Sequence, residues 1–123
     1  MAGWTETVSE FIAGSTTADW PEETLELGRR HILDTLASIV ACRDLETAEV
    51  ARAFALRLTG GTPGGSTILG TREHASLPDA VFASAMTGHG AEINDFCPSA
   101  FVQPGPPVVS TALAFAERDH RPG

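Results

Sequence analysis

The 123 residues allow one domain at most, and an apolar fraction of 42% is enough for a packed core and argues against wholesale disorder. The eight basic residues are all arginine, against sixteen Asp and Glu, for a net charge of −8. Such a surface repels phosphate backbones and anionic membranes, so neither is expected as a partner, and without lysine no Schiff-base or lysine-base chemistry is open.

The N-terminus, MAGWTETVSEF, is polar and acidic, unlike an export or transit peptide. Cys42 and Cys97 form no CxxC pair, and together these features predict a reducing, cytoplasmic setting. Residues 4–14 read as a short helix with Val8, Phe11 and Ile12 on one face and Gly14 at its end. The stretch 15–23, STTADWPEE, reads as a loop leading into a helix start. Pro21 suits a first turn, and Glu22 and Glu23 suit the positive end of the helix dipole. That helix runs to about Cys42 on a stripe of Leu25, Ile32, Leu36, Ile39 and Val40. Its apolar run ILDTLASIVAC is interrupted and too short to span a bilayer.

A third helix is predicted over Glu46–Leu58, with Val50, Phe54 and Leu58 at helical spacing and Gly60 and Gly61 ending it. STILG, 66–70, is the one convincing strand, and it needs a distant partner or must lie along the helices. In SLPDAVFASAMTGHGAEI, Ser76 and Asp79 read as a capping box. Phe82, Met86, His89 and Ile93 there share a helical stripe. Gly88 and Gly90 each cost about 1 kcal/mol against Ala inside a helix, so tertiary packing has to offset them. A proline-rich loop, FCPSAFVQPGPP, precedes a last helix over Pro107–Arg118 with Val108, Ala112 and Phe115 inward, and RDHRPG then stops. The fold class is all-α, about five helices with at most one short strand.

The densest group of reactive side chains is Gly88–Gly105, GHGAEINDFCPSAFVQPG. Glu92 and Asp95 follow a helix there, where the dipole disfavours carboxylates by about 0.3–1 kcal/mol each when exposed. Read from the residues alone, the stretch stands between a polar site and an ordinary helix end with a satisfied histidine and solvated acids. His89, Glu92 and Asp95 have loose ligand spacing, but no second histidine sits four away and no HExxH occurs. GGTPGGST has the glycine spacing of a phosphate loop, but Ser66 stands where the lysine belongs and a helix precedes it, so it reads as a helix stop and turn. Cys97 has no local basic partner to activate it, and Cys42 reads as a small apolar residue. His31, His74 and His120 are isolated and read as surface or cap residues, and Asp34 as either a buried or a solvated carboxylate.

GHGAEINDF followed by VQPGPPVVSTALAFAE resembles the N-terminal part of the MmgE/PrpD family, which includes 2-methylcitrate dehydratase and cis-aconitate decarboxylase. RRHILDTLASIVAC is similar to the family's LLDTLG helix, with Asp34 and Thr35 in register. GGTPGGSTILG is similar to its glycine turn and extended piece, and SLPDAVFASAMTGH to its AAxxNGxxxH helix. The segments come in the family's order over nearly the whole chain.

The resemblance implies that residues 1–123 are the front of a large helical domain. In relatives a smaller α+β lid domain accompanies it, usually in a homodimer that acts as a lyase on small polycarboxylates. It implies Asp95 and Glu92 as catalytic carboxylates and His89 and Gln103 as substrate contacts; separately, the loose ligand spacing predicts no metal, and no cofactor is expected. His89 and Asp95 match the family's AHxxDFDD pattern. Glu92 replaces its first aspartate, Asn94 another, and Phe96 stands where threonine is often found. Gln103 replaces a loop histidine; an imidazole gives or takes a proton near neutral pH, and an amide does not. Lyase chemistry on polyanions also needs cations, which in the family come largely from later in the chain. The chain ends where a typical member starts its next helix, so it is expected to be truncated and inactive in isolation. Two readings of other classes stand beside this one: a non-catalytic, self-associating helical module, and a small metal-binding protein.

Overall fold

A computed structural model describes residues 3–16 and 20–121. Thr17, Ala18 and Asp19 of the expected 15–23 loop, and Pro122 and Gly123 of the expected C-terminal stop, lie outside the described residues. The chain divides into two compact units, residues 1–30 and 31–123.

In the first unit, helix α1 (Trp4–Gly14) ends where Ser15 Oγ donates to the Phe11 carbonyl at 2.6 Å. Its predicted face of Val8, Phe11 and Ile12 is exposed. Helix α2 (Glu22–Cys42) starts here with its acidic first turn. Arg29 and Arg30 pair back to Glu22 and Glu26 at 2.7 and 2.9 Å.

The second unit holds the rest of α2, α3 (Glu46–Thr59), β1 (Ser66–Thr67), β2 (His74–Ala75), α4 (Leu77–Gly88) and α5 (Gly105–Arg118). α4 packs against both α3 and α5. The protein is therefore mainly helical, as its periodicity predicts. No helix among the described residues is long and apolar enough to cross a membrane.

The faces that pack are only partly the expected ones. On α2 the expected stripe holds in part: Ile39 is fully buried and Leu25 and Leu36 are half-buried, but Ile32 and Val40 are exposed and the other buried positions are Thr35, Ser38 and Cys42. α3 buries Ala48, Ala51 and Ala55 and leaves Val50, Phe54 and Leu58 in solvent. α5 buries Val109, Ser110 and Ala114 rather than Val108, Ala112 and Phe115. The reason is side-chain size. Small residues let the backbones approach closely, and the core between α3, α4 and the strands is Ala55, Ile68, Ala75, Ala80 and Ala83. Gly88 ends α4 in such a contact: a Cβ there would lie 3.0 Å from Pro106 Cβ and 3.3 Å from Ile39 Cγ1. That packing offsets its poor helix propensity.

Three local expectations are corrected. The strand is two residues long, not five, and its partner is near: β1 and β2 form an antiparallel hairpin pairing Ser66 with Ala75 and Thr67 with His74. Ser84 Oγ fastens the hairpin to α4, accepting from the Leu69 N–H at 2.9 Å and donating to the Ala80 carbonyl. Glu117 of α5 also fastens it, accepting from the Thr67 N–H at 2.8 Å and from its hydroxyl. Ser76 and Asp79 do not form a capping box. Ser76 Oγ donates to Asp79 Oδ2 at 2.7 Å, and Thr59 Oγ1 donates to the same oxygen, tying α3 to the start of α4. Finally, α4 stops at Gly88 instead of continuing to Ile93. Two weak helix formers, Gly88 and Gly90, end it. The Gly90 N–H tightens onto the Thr87 carbonyl, and Glu92 turns into the left-handed region at φ 54°. The glycine run 60–65 is a helix stop and turn, as read from the sequence.

Candidate functional site

Because α4 stops early, His89, Glu92 and Asp95 lie in a non-helical segment rather than along one helix face. That segment runs back against the proline-rich loop and is stapled to it at three points. Cys97 and Val102 form an isolated bridge, with N–H to carbonyl distances of 2.8 and 3.4 Å. Gln103 Nε2 donates to Glu92 Oε2 at 3.0 Å. The Gly105 N–H donates to both oxygens of Asp95, at 2.9 and 3.1 Å. The rings of Phe96 and Phe101 meet edge to face, 5.4 Å apart, across the same turn.

The Asp95 contact is a helix cap. Gly105 is the first residue of α5, and Pro106 and Pro107, which follow it, have no N–H to offer. The Val108 N–H already meets the Pro104 carbonyl at 3.1 Å. The Gly105 N–H is therefore the free donor of the first turn, and the carboxylate sits at the positive end of the dipole. This reverses the sequence expectation for Asp95. It is not a disfavoured acid behind α4 but a favoured one in front of α5. A Cβ at Gly105 would run into Asp95 Oδ1 and lie 2.6 Å from Thr35 Oγ1, so glycine is what lets both side chains come this close to its N–H.

A pocket of about 190 Å³ opens beside this cap, lined by His31, Asp95, Pro104, Gly105, Val108 and Val109. Of the four residues implied by the resemblance, Asp95 alone lines it. Glu92 and Gln103 are joined to each other, and half-buried His89 caps α4, its carbonyl accepting from the Glu92 N–H at 3.2 Å. Glu92 holds a conformation that costs a non-glycine residue about 1–2 kcal/mol. Asn94 is buried with its Oδ1 unpartnered, and Thr35 is wholly buried with its Oγ1 unpartnered. Among the described residues, no three His, Cys, Asp or Glu side chains are placed to hold a metal ion, His89, Glu92 and Asp95 included. The Cys97 thiol is held below its ordinary value, chiefly by Ser99 Oγ at 3.3 Å and then by the Ala100 backbone.

Sequence reasoning missed His31 and Gly105. His31 reads as isolated along the chain. The available signal was its spacing to Thr35, four residues on and one turn along the same helix, within the segment that resembles the family's LLDTLG. Gly105 had no signal apart from the prolines around it.

No curated protein and no solved structure matches the chain. The family model of the MmgE/PrpD N-terminal domain matches residues 6–123. With five helices in the expected order among the described residues and a match that spans nearly all of its length, the chain belongs to the MmgE/PrpD family and carries its N-terminal domain.

Proposed function

We propose that this domain supplies the acidic part of a lyase site for small polycarboxylates, in a cytoplasmic protein. The observation that carries the reading is the fixed Asp95 carboxylate. It is held by the Gly105 N–H on the wall of a pocket, yet keeps lone pairs free to accept a proton. Asp95 is the base that takes a proton from the substrate. Glu92, oriented by Gln103, is the second carboxylate, and His89 precedes both on the same non-helical segment. Family membership supports this assignment, since the matched domain belongs to a family with lyase members.

No arginine lines the pocket. A polyanion there meets the Asp95 carboxylate, and positive groups beyond those lining the pocket have to offset its charge in the transition state. Residues 1–123 alone are accordingly expected to be inactive. The test is calorimetry and turnover of the complete gene product with citrate, 2-methylcitrate and cis-aconitate. The proposal expects saturable binding of at least one; binding of none of them sinks it.

A second reading rests on a separate observation. α3 and α4 leave an apolar groove of about 460 Å³, lined by Val50, Phe54, Phe82 and Met86, with Glu46 at its edge. Faces of this kind are usually covered by protein. In this reading the domain associates with itself, as a dimer, without chemistry. Sedimentation velocity separates the two: a monomer at all concentrations removes self-association, and dimerisation weakened by Phe54→Glu supports it.

A further inference from the structure

We propose that His31 is the acid–base imidazole of the Asp95 pocket, filling the role that Gln103 cannot perform. The inference deepens the lyase reading and rests on it. Three observations converge. His31 and Asp95 line the same pocket, His31 from α2 and Asp95 from the segment before α5. The Gln103 amide is committed to Glu92 and does not line that pocket, so the loop position offers it no proton carrier. One turn along α2 from His31, the wholly buried and unpartnered Thr35 Oγ1 lies against Gly105 together with Asp95 Oδ1. The α2 face that begins with His31 therefore continues into the floor that fixes the carboxylate. The other pocket walls are Pro104, Gly105, Val108 and Val109, which neither give nor take protons.

A carboxylate and an imidazole on one small pocket suit a hydroxy-carboxylic acid. Asp95 takes the proton from the carbon beside a carboxylate. The C–H electron pair becomes the new C=C bond as the C–O bond breaks. Protonated His31 gives its proton to the departing hydroxyl, which leaves as water. Asp95 ends with one proton and His31 with one fewer, so charge and atoms balance with no oxidant or co-reactant. Recycling moves a proton back through solvent, to which His31 is exposed.

The experiment uses the complete gene product with citrate and 2-methylcitrate as probes. Histidine ring signals are followed by NMR, the His31 signal being identified by its loss in His31→Gln. Because His31 is exposed, His31→Gln and His31→Ala are expected to melt like the parent. The expected result is a ring shift on adding the probe and an elimination rate at least a hundredfold lower in His31→Gln, with probe affinity within about threefold. A silent ring, or a moving ring with unchanged turnover in His31→Gln, overturns the assignment of His31. If Asp95→Asn still abolishes turnover in that case, the lyase reading survives. Binding of neither probe and no elimination overturn both.

Discussion

The α3–α4–α5 scaffold and the 89–104 segment in front of α5 are built on opposite principles. The scaffold is held by small apolar side chains in close contact, Ala55, Ala80 and Ala83 among them, with Thr59, Ser84 and Glu117 making short polar ties between its elements. The segment has almost no apolar core. It carries left-handed Glu92 and Phe101, an unpartnered Asn94 oxygen, and a few hydrogen bonds that fix its ends. A close-packed frame tolerates little change in volume, and a polar segment mounted on it is positioned by single bonds. Damage to the frame should therefore appear as lost stability, and damage to the segment as lost chemistry.

The largest stability effect is expected where α2 packs on the frame, at Ile39 against Gly88 of α4. Ile39 is fully buried and contacts the backbone sides of Gly70 and Gly88. Ile39→Ala should cost about 2–5 kcal/mol in denaturant unfolding. Gly105→Ala comes next, because the added methyl collides with Asp95 and Thr35; a loss of about 1–3 kcal/mol is expected, together with lost activity. Asp95→Ala removes the cap of α5 and should cost about 0.5–2 kcal/mol, whereas Asp95→Asn keeps an oxygen for the Gly105 N–H and should cost less.

Smaller still is the acid dependence. Asp79 is held below the usual carboxylate range by Thr59 first and then Ser76, and Glu117 chiefly by Thr67. In both, the folded value lies under the unfolded one. The stability they add is present above the ordinary carboxylate range of about 4 and is lost as pH falls through the folded values. Asp79→Asn and Glu117→Gln should flatten the acid limb of a plot of Tm against pH. The smallest effect belongs to Arg30, exposed and paired to Glu26; Arg30→Ala should shift stability by less than about 0.5 kcal/mol.

Helix number and order were legible in the sequence because apolar periodicity runs between stretches rich in glycine and proline. Which face packs was not. Periodicity selects large apolar residues such as Val50, Phe54 and Val108, while this fold packs on Ala51, Ala55 and Ser110 and leaves the large residues outside. The end of α4 was misplaced for a related reason: Phe82, Met86, His89 and Ile93 keep helical spacing beyond the point where Gly88 and Gly90 end the helix. Within the candidate site, Asp95 and Glu92 stood out by chemistry. The partners that define their surroundings, Gly105, Thr35 and His31, come from distant positions, and only folding brings the first two against Asp95 and the third to its pocket.

The central claim is that the Asp95 carboxylate, capped by Gly105, does chemistry that its structural role does not require. The direct measurement is turnover and calorimetric binding of 2-methylcitrate and citrate by the complete gene product and its Asp95→Asn variant. The account predicts elimination slowed at least a hundredfold, with the variant folded and its binding retained or tightened, since one negative charge has left the pocket. A folded Asp95→Asn protein that turns over at the parent's rate would contradict it.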